Sequence, residues 1–416
     1  MRAATALVAA ALVASVSVAA GGGRPRVTQT PKEVIVGAIL DLASGWTSLG
    51  RGSRVTLQLA ASDANAAFVR SHSPLRVRLR IVDAKGEPAL ALRELRGLAA
   101  SGVHVVVGPE KSSEVAAVRA AAATTGVVVI SQGSTAHSLA IAGDNVLRFV
   151  PDDIREGEAL VALLSHDKVD AIVPVWRQDA GNAGLASSVR RQFAAKGGKV
   201  SQGVPYAEKT RNFTRVAASI AAQAATLRAG GATHVGIYLA GFDEVVDLFH
   251  AARVTPTLET YPWYGSDGVA LSTRLVDDKS AAAFADVVGY PNPTVGLSAA
   301  AVRAARPVVG RARKKLGRAP DALALTAYDA LRIAVAGEQR TGGGGGARLR
   351  RAIVAAANSH VGITGRMTLN RAGDRAYGSF DFWSVCPRGA KFGWVRTFDY
   401  EASRVGSGRI LAGSRC

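Results

Sequence analysis

The chain has 416 residues, 48% of them apolar, a formal charge of +19 and only two cysteines. That is enough chain for two domains with proper cores and too apolar for a disordered protein. The Arg and Lys are spread without a dense basic run or a basic-aromatic module, which argues against a nucleic-acid binder. With two Cys and seven scattered His, no metal cluster of recognisable spacing exists.

Residues 1–20, Arg2 followed by an Ala/Val/Leu/Ser run to Ala20, read as a secretory signal with Val18 and Ala20 at the cleavage positions; an uncleaved anchor is the rival reading. No cysteine follows the run, so lipid attachment there is not expected, and residues 21–32 read as a loose tether. The expected location is the periplasm or the extracellular space.

Glu33–Leu40 (EVIVGAIL) is a buried strand, followed by a loop holding Trp46 and a helix predicted over Arg54–Phe68. Arg76–Val82 alternates basic and apolar residues as a half-wet strand does, and Ala89–Ala100 is helical. Then HVVVG, PEKSSEVAAVRAAAATTG and VVVISQGST make strand, helix, strand. A right-handed crossover brings the carboxyl ends of these strands together, where open α/β sheets bind ligands. Ser112 or Ser113 is expected to cap the helix beside its unpaired N–H groups, where a small anion sits well, and Ser131, Gln132, Gly133, Ser134 and Thr135 form a loop of small donors and acceptors nearby.

After Pro151 the pattern restarts: helix 154–164, strand Ala171–Trp176, helix 185–195, helix Phe213–Ala229, strand His234–Ala240, helix Asp243–Ala252, then YPWYGSDG. Two similar lobes follow from this repetition. Helical segments then dominate to about Ala357, broken by the Gly342–Gly346 run, and the tail from Gly362 is strand-like. The fold expected is α/β, with two Rossmann-like lobes joined by a hinge: 33–150 plus 275–361 in lobe one, 151–274 plus 362–416 in lobe two. Cys386 and Cys416 both fall in the tail and are expected to pair in an oxidising compartment, free thiols being the alternative.

The segments IVGAILDLASGWTSLGRGSRVTLQLAASDANA, VVVGPEKSSEVAAV, VVVISQGST, GIYLAGFDEVVDLFHAAR, YGSDG and VGITGRMTLNRAGDRAYGSFDFWSV, in this order and spacing, resemble the periplasmic solute-binding proteins of ABC importers. The group resembled is the type I fold family that binds branched-chain amino acids and amides. The resemblance implies that Ser112, with Ser113, Gly133, Ser134 and Thr135, holds the ligand carboxylate. Asp267 would meet the ligand ammonium, Phe242 would come from the second lobe, and Trp46 would line the side-chain pocket. On residue type alone Asp267 has a turn aspartate as its rival reading, and Phe242 reads about equally as a helix-start core residue.

One departure stands out. Where many relatives carry Tyr-Gly, this chain has Asp179-Ala180-Gly181-Asn182, so Asp179 or Asn182 would meet a more polar solute or simply shape the turn. The expected function is capture of a small amino acid or amide-like solute for delivery to a permease and ATPase, by a monomer using no cofactor and no nucleic acid. A sensor of the same fold is the alternative. A hydrolase is disfavoured, since no G-x-S-x-G elbow, H-E-x-x-H or Cys–His arrangement appears.

Overall fold

A computed structural model describes residues 32–43, 47–411, 413 and 415–416. The expected signal segment, nearly all of the tether, and Trp46 lie outside the described residues. Lobe one opens with β1 (Lys32–Leu40), α1 (Thr47–Arg70), β2 (Leu75–Asp83), α2 (Pro88–Ala100), β3 (Val105–Val107), α3 (Ser112–Thr125), β4 (Val128–Ser131) and β5 (Val146–Arg148). All five strands are parallel, in the order β2-β1-β3-β4-β5. Their unbroken Val/Ile runs have a reason: both sheet faces are covered, so each strand buries side chains on both sides.

The chain then crosses into lobe two with α4 (Asp153–His166), β6 (Ala171–Arg177), α5 (Ala180–Ala195), β7 (Lys199–Val200), β8 (Val204–Tyr206), α6 (Thr214–Ala229), β9 (Val235–Ala240), α7 (Val245–Arg253) and β10 (Trp263–Tyr264). The sheet runs β10-β9-β6-β7, with β8 pairing further along β6, and is again parallel. Next come α8 (Thr273–Asp277), α9 (Lys279–Val287) and β11 (Asn292–Gly296). Helices α10 (Ala299–Leu316), α11 (Ala322–Thr341) and α12 (Gly346–Ser359) cover lobe one. They lead to β12 (Val361–Gly362), β13 (Gly365–Arg366), β14 (Ser379–Arg388), β15 (Lys391–Glu401) and β16 (Arg409–Leu411). The last three strands join β11 in an antiparallel sheet on lobe two, β11-β14-β15-β16.

Two expected boundaries move. Leu275, Ala281, Phe284 and Tyr290 bury in the same core as Val235 and Ile237, so the return to lobe one comes after Gly296 rather than at residue 275. Met367 and Leu369 bury with Leu147, and Arg148 bridges Asp374, so the tail stays on lobe one until β14 instead of leaving at 362. The three crossings, near 149–152, 297–298 and 376–378, form the hinge. Lys32, assigned to the tether, already pairs with Leu75.

Helix α1 begins seven residues earlier than its predicted start. Gly50 and Gly52 weaken helix propensity, but a Cβ on Gly50 would lie 2.1 Å from the Asp41 carbonyl oxygen and one on Gly52 would lie 3.0 Å from Ala324. Tertiary packing overrides the propensity there. Cys386 and Cys416 are joined by a disulfide that fastens the tail to β14.

Candidate functional site

The carboxyl ends of β3 and β4 build one side of the site. Lys111, not a serine, is the N-cap of α3, and no side chain caps that helix. The expected Ser112 cap is thus corrected: Ser112 is the first helical residue, and its Oγ lies 2.9 Å from Ser134 Oγ and accepts the Ala136 N–H at 3.3 Å. It fastens the next loop, leaving the first amides of α3 without a side-chain cap at the positive end of the helix. Ser131 holds the same loop, accepting the N–H groups of Gly133 (3.4 Å) and Ser134 (3.1 Å) and donating to the Pro109 carbonyl. Ser113 points out to solvent.

Beneath this loop lies Arg148, fully buried at the end of β5. Its guanidinium donates to both carboxylate oxygens of Asp374 (2.7 and 2.6 Å) and to the Ala136 carbonyl (2.6 Å). A planar fork with five donors suits a carboxylate and a loop carbonyl at once.

Lobe two supplies acids. Asp153, at the start of α4, donates its N–H to the Thr135 carbonyl (3.0 Å), while the Thr135 hydroxyl bonds its carboxyl. Burial and the neighbouring Asp267 push Asp153 up to about 8. Glu156, also buried, accepts the Asp267 N–H at 3.2 Å, and burial with the nearby Asp267 and Asp153 charges raises it well above the usual range.

Asp267 itself is open to solvent, yet the protein around it desolvates the carboxyl and lifts it to about 6. The buried Tyr238 hydroxyl, in electrostatic range of all three acids, has no hydrogen-bond partner among the described residues. No Lys or Arg pairs with any of the three among the described residues.

Phe242 adjoins this group. A Cβ on Gly268 would fall 2.4 Å from the Gly241 carbonyl oxygen and 3.0 Å from the Phe242 ring, so only glycine lets the Asp267 turn pack there. The Arg177 guanidinium covers the Phe242 ring at 4.3 Å and donates to Asp179 at 2.7 Å. Asp179 caps α5 through the Asn182 N–H (3.0 Å) and also accepts the Asn182 side-chain amide (2.7 Å). Both residues are committed to the turn, the plainer of the two readings the sequence allowed.

The structure thus strings Ser112, Ser134, Thr135, Asp153, Asp267, Phe242 and Arg177 into one continuous arrangement across the lobes. Gly133 packs against the Glu110 backbone beneath it. The 3₁₀ turn His137–Leu139 of lobe one lies against α5, so the lobes meet here. Sequence reasoning missed Arg148, Asp153, Glu156, Arg177 and Tyr238. A charge inside an apolar strand end (VLRFV) and four acids within seven residues (DDIREGE) were the available signals.

A family model described as the receptor family ligand binding region matches residues 53–387. The chain belongs to that family. An uncharacterised protein of Methanocaldococcus jannaschii is 24% identical over 375 residues, covering 86% of this chain and 88% of that one. Among solved structures, LivJ of Streptococcus pneumoniae in complex with isoleucine is 20% identical, with a TM-score of 0.66 and coverage of 91% of this chain and 99% of LivJ. The leucine binding protein LivK of Thermotoga maritima is 20% identical, with a TM-score of 0.67, covering 87% and 97% of the two chains. A solute binding protein of an R. palustris ABC transporter in complex with benzoate is 17% identical, with a TM-score of 0.65 and coverage of 92% and 99%. The fold is that of the type I periplasmic binding proteins. Among the described residues no helix is long and apolar enough to cross a membrane.

Proposed function

We propose that the protein is an exported receptor of an ABC importer that captures a small amine-bearing solute, an amino acid or a related amide, between its lobes and presents it to a permease. The observation carrying this reading is Asp267: a solvent-open carboxyl, lifted to about 6, without a cationic partner among the described residues. A ligand ammonium would supply the missing charge and favour the ionised form. The other jaw offers neutral donors, the Ser112 and Ser134 hydroxyls and the uncapped amides of α3, suited to a carboxylate or a carboxamide.

A ligand touching both jaws prefers the closed form, and only such differential affinity drives closure. The isoleucine held by LivJ carries both an ammonium and a carboxylate, which fits this polarity; benzoate, held by the R. palustris protein, has no group for Asp267. An aliphatic pocket wall is less well supported, because Arg177 stacked on Phe242 makes that side polar.

The test is a thermal-shift panel of amino acids, amides, ureas and aromatic acids, followed by calorimetry of Asp267→Asn. A true ligand at about a hundredfold its dissociation constant adds roughly 2.7 kcal/mol of stability. Asp267→Asn should weaken an amine-bearing ligand about 100-fold, in line with loss of one partner of a desolvated charge pair. Stabilisation by acids without an amine, or undiminished affinity in the variant, defeats the assignment of the ammonium to Asp267. Silence across the whole panel defeats the receptor reading.

A further inference from the structure

Lobe one carries a helix of one sign. Over its 18 residues α10 holds Arg303, Arg306, Arg311, Arg313, Lys314 and Lys315 and no acid. Ala301, Ala305, Val308 and Ala312 turn inward to the lobe-one core. Helical spacing therefore sends Arg303, Arg306, Arg313 and Lys314 outward together, and all four are exposed.

The surrounding charges do not neutralise them. Among the described residues, the one acid of this face that forms an ion pair is Asp63 of α1, shared by Arg311 at 2.6 Å and the Tyr328 hydroxyl at 2.7 Å. Arg332 of α11 lies over Tyr328, Arg318 donates to Ser48 just beyond the helix, and Arg51 and Arg54 of α1 are exposed. Arg303, Arg306, Arg313 and Lys314 have no ion-pair partner among the described residues, and α10 itself carries no acid.

 The charge is therefore a property of the face and not of single residues.

The ground between these charges is small: Ala300, Ala304, Pro307 and Gly310, with Val302 the one large apolar side chain exposed on the helix. A protein partner's hot spot wants aromatic anchors and pockets, and this face offers neither. A dense, laterally mobile array of phosphates needs only unpaired basic groups at the surface. We propose that the outer face formed by α10 with the adjoining parts of α1 and α11 holds the protein against an anionic phospholipid bilayer. This does not rest on the solute reading; it assigns lobe one a surface role separate from the cleft.

The test is sedimentation of the purified chain with vesicles of phosphatidylglycerol and phosphatidylcholine, against vesicles of phosphatidylcholine alone. Binding is expected to the anionic vesicles only, and to be released by about 0.5 M salt, where the screening length shrinks to a few ångströms. The triple variant Arg306→Glu, Arg313→Glu, Lys314→Glu should lower the partition coefficient at least about tenfold with an unchanged melting temperature, since all three side chains are exposed. A control with the same change of net charge elsewhere on lobe one, Arg348→Glu, Arg351→Glu, Arg371→Glu, should retain most of the binding. Equal loss in the two variants would make the effect one of net charge and overturn the face. Equal binding to neutral vesicles, or binding to neither, overturns the lipid assignment, and the latter leaves an acidic protein surface as the occupant.

Discussion

Both lobes place carboxyl groups at the carboxyl edge of a parallel sheet, but they use them in opposite ways. In lobe one Asp41, Glu110 and Glu114 are all fully buried. Asp41 accepts the Gly86 N–H at 2.6 Å and has Lys111 Nζ 3.6 Å away, while Glu110 accepts the Asp41 N–H and the Gln132 amide. Burial lifts both glutamates to about 8, with the Asp41 charge adding to the effect on Glu114. These acids brace the loops from behind, and hydroxyls and amides face the cleft. In lobe two the order is inverted, because Asp267 faces solvent and Asp153 and Glu156 stand behind it. What an acid does at a sheet edge is set by how many donors its own lobe supplies, not by its position in the chain.

The largest effect expected from breaking this arrangement is on the lobe-one side. Arg148→Met strands the buried Asp374 carboxylate and the Ala136 carbonyl, and removal of one partner of a buried pair costs about 3–5 kcal/mol. Urea denaturation should show this, and Arg148→Met combined with Asp374→Asn should recover part of it. A loss below about 1 kcal/mol would mean that the pair does not hold the loop.

The second effect separates the lobes by pH. Asp267 must be ionised to meet an ammonium, and its pKa of about 6 sets the window: affinity is level above pH 7 and falls about tenfold per unit below pH 6. Stability of the free protein should run the other way. Glu110 and Asp153 bind protons in the folded state up to about pH 8 but lose them near pH 4 when unfolded. The folded state therefore holds more protons between these values, and stability declines as pH rises from 4 toward 8, by at most about 1.4 kcal/mol per unit for each group. Melting temperature and calorimetry across pH 5–8 measure both. An unliganded protein that grows steadily more stable over that range, or affinity without a bend near 6, contradicts the proton assignment.

Much of this architecture was legible in the residues. The apolar β-branched runs before Gly108 and Ser131 marked buried parallel strands, and the repeat after Pro151 marked a second lobe. Asp267 and Phe242 were named by resemblance, and the close packing of Gly268 on the Phe242 ring sets the two side by side. The lobe boundaries were not legible, because α8, α9 and β11 pack by long-range pairing of β11 with β14, and helical periodicity carries no information about which core receives it. The role of Ser112 was misread for a related reason. A serine at a helix start looks like a cap, and only the position of the 133–136 loop shows that its hydroxyl belongs to a neighbouring segment.

That tie yields the smallest and most selective prediction. Ser112→Ala removes a neutral partner from Ser134 Oγ and from the Ala136 N–H, so the loop loosens without any change in the charge of the cleft. Loss of one such hydrogen bond is worth about 1 kcal/mol, which corresponds to roughly a fivefold drop in affinity for the ligand found in the panel. The pH dependence should keep its bend near 6, since the titrating acid is untouched. Asp267→Asn should do the reverse, lowering affinity far more and flattening the pH profile. If Ser112→Ala shifts the bend, the two jaws are coupled through Thr135 and Asp153, whose hydrogen bond joins them, and the division into a neutral and an acidic side fails.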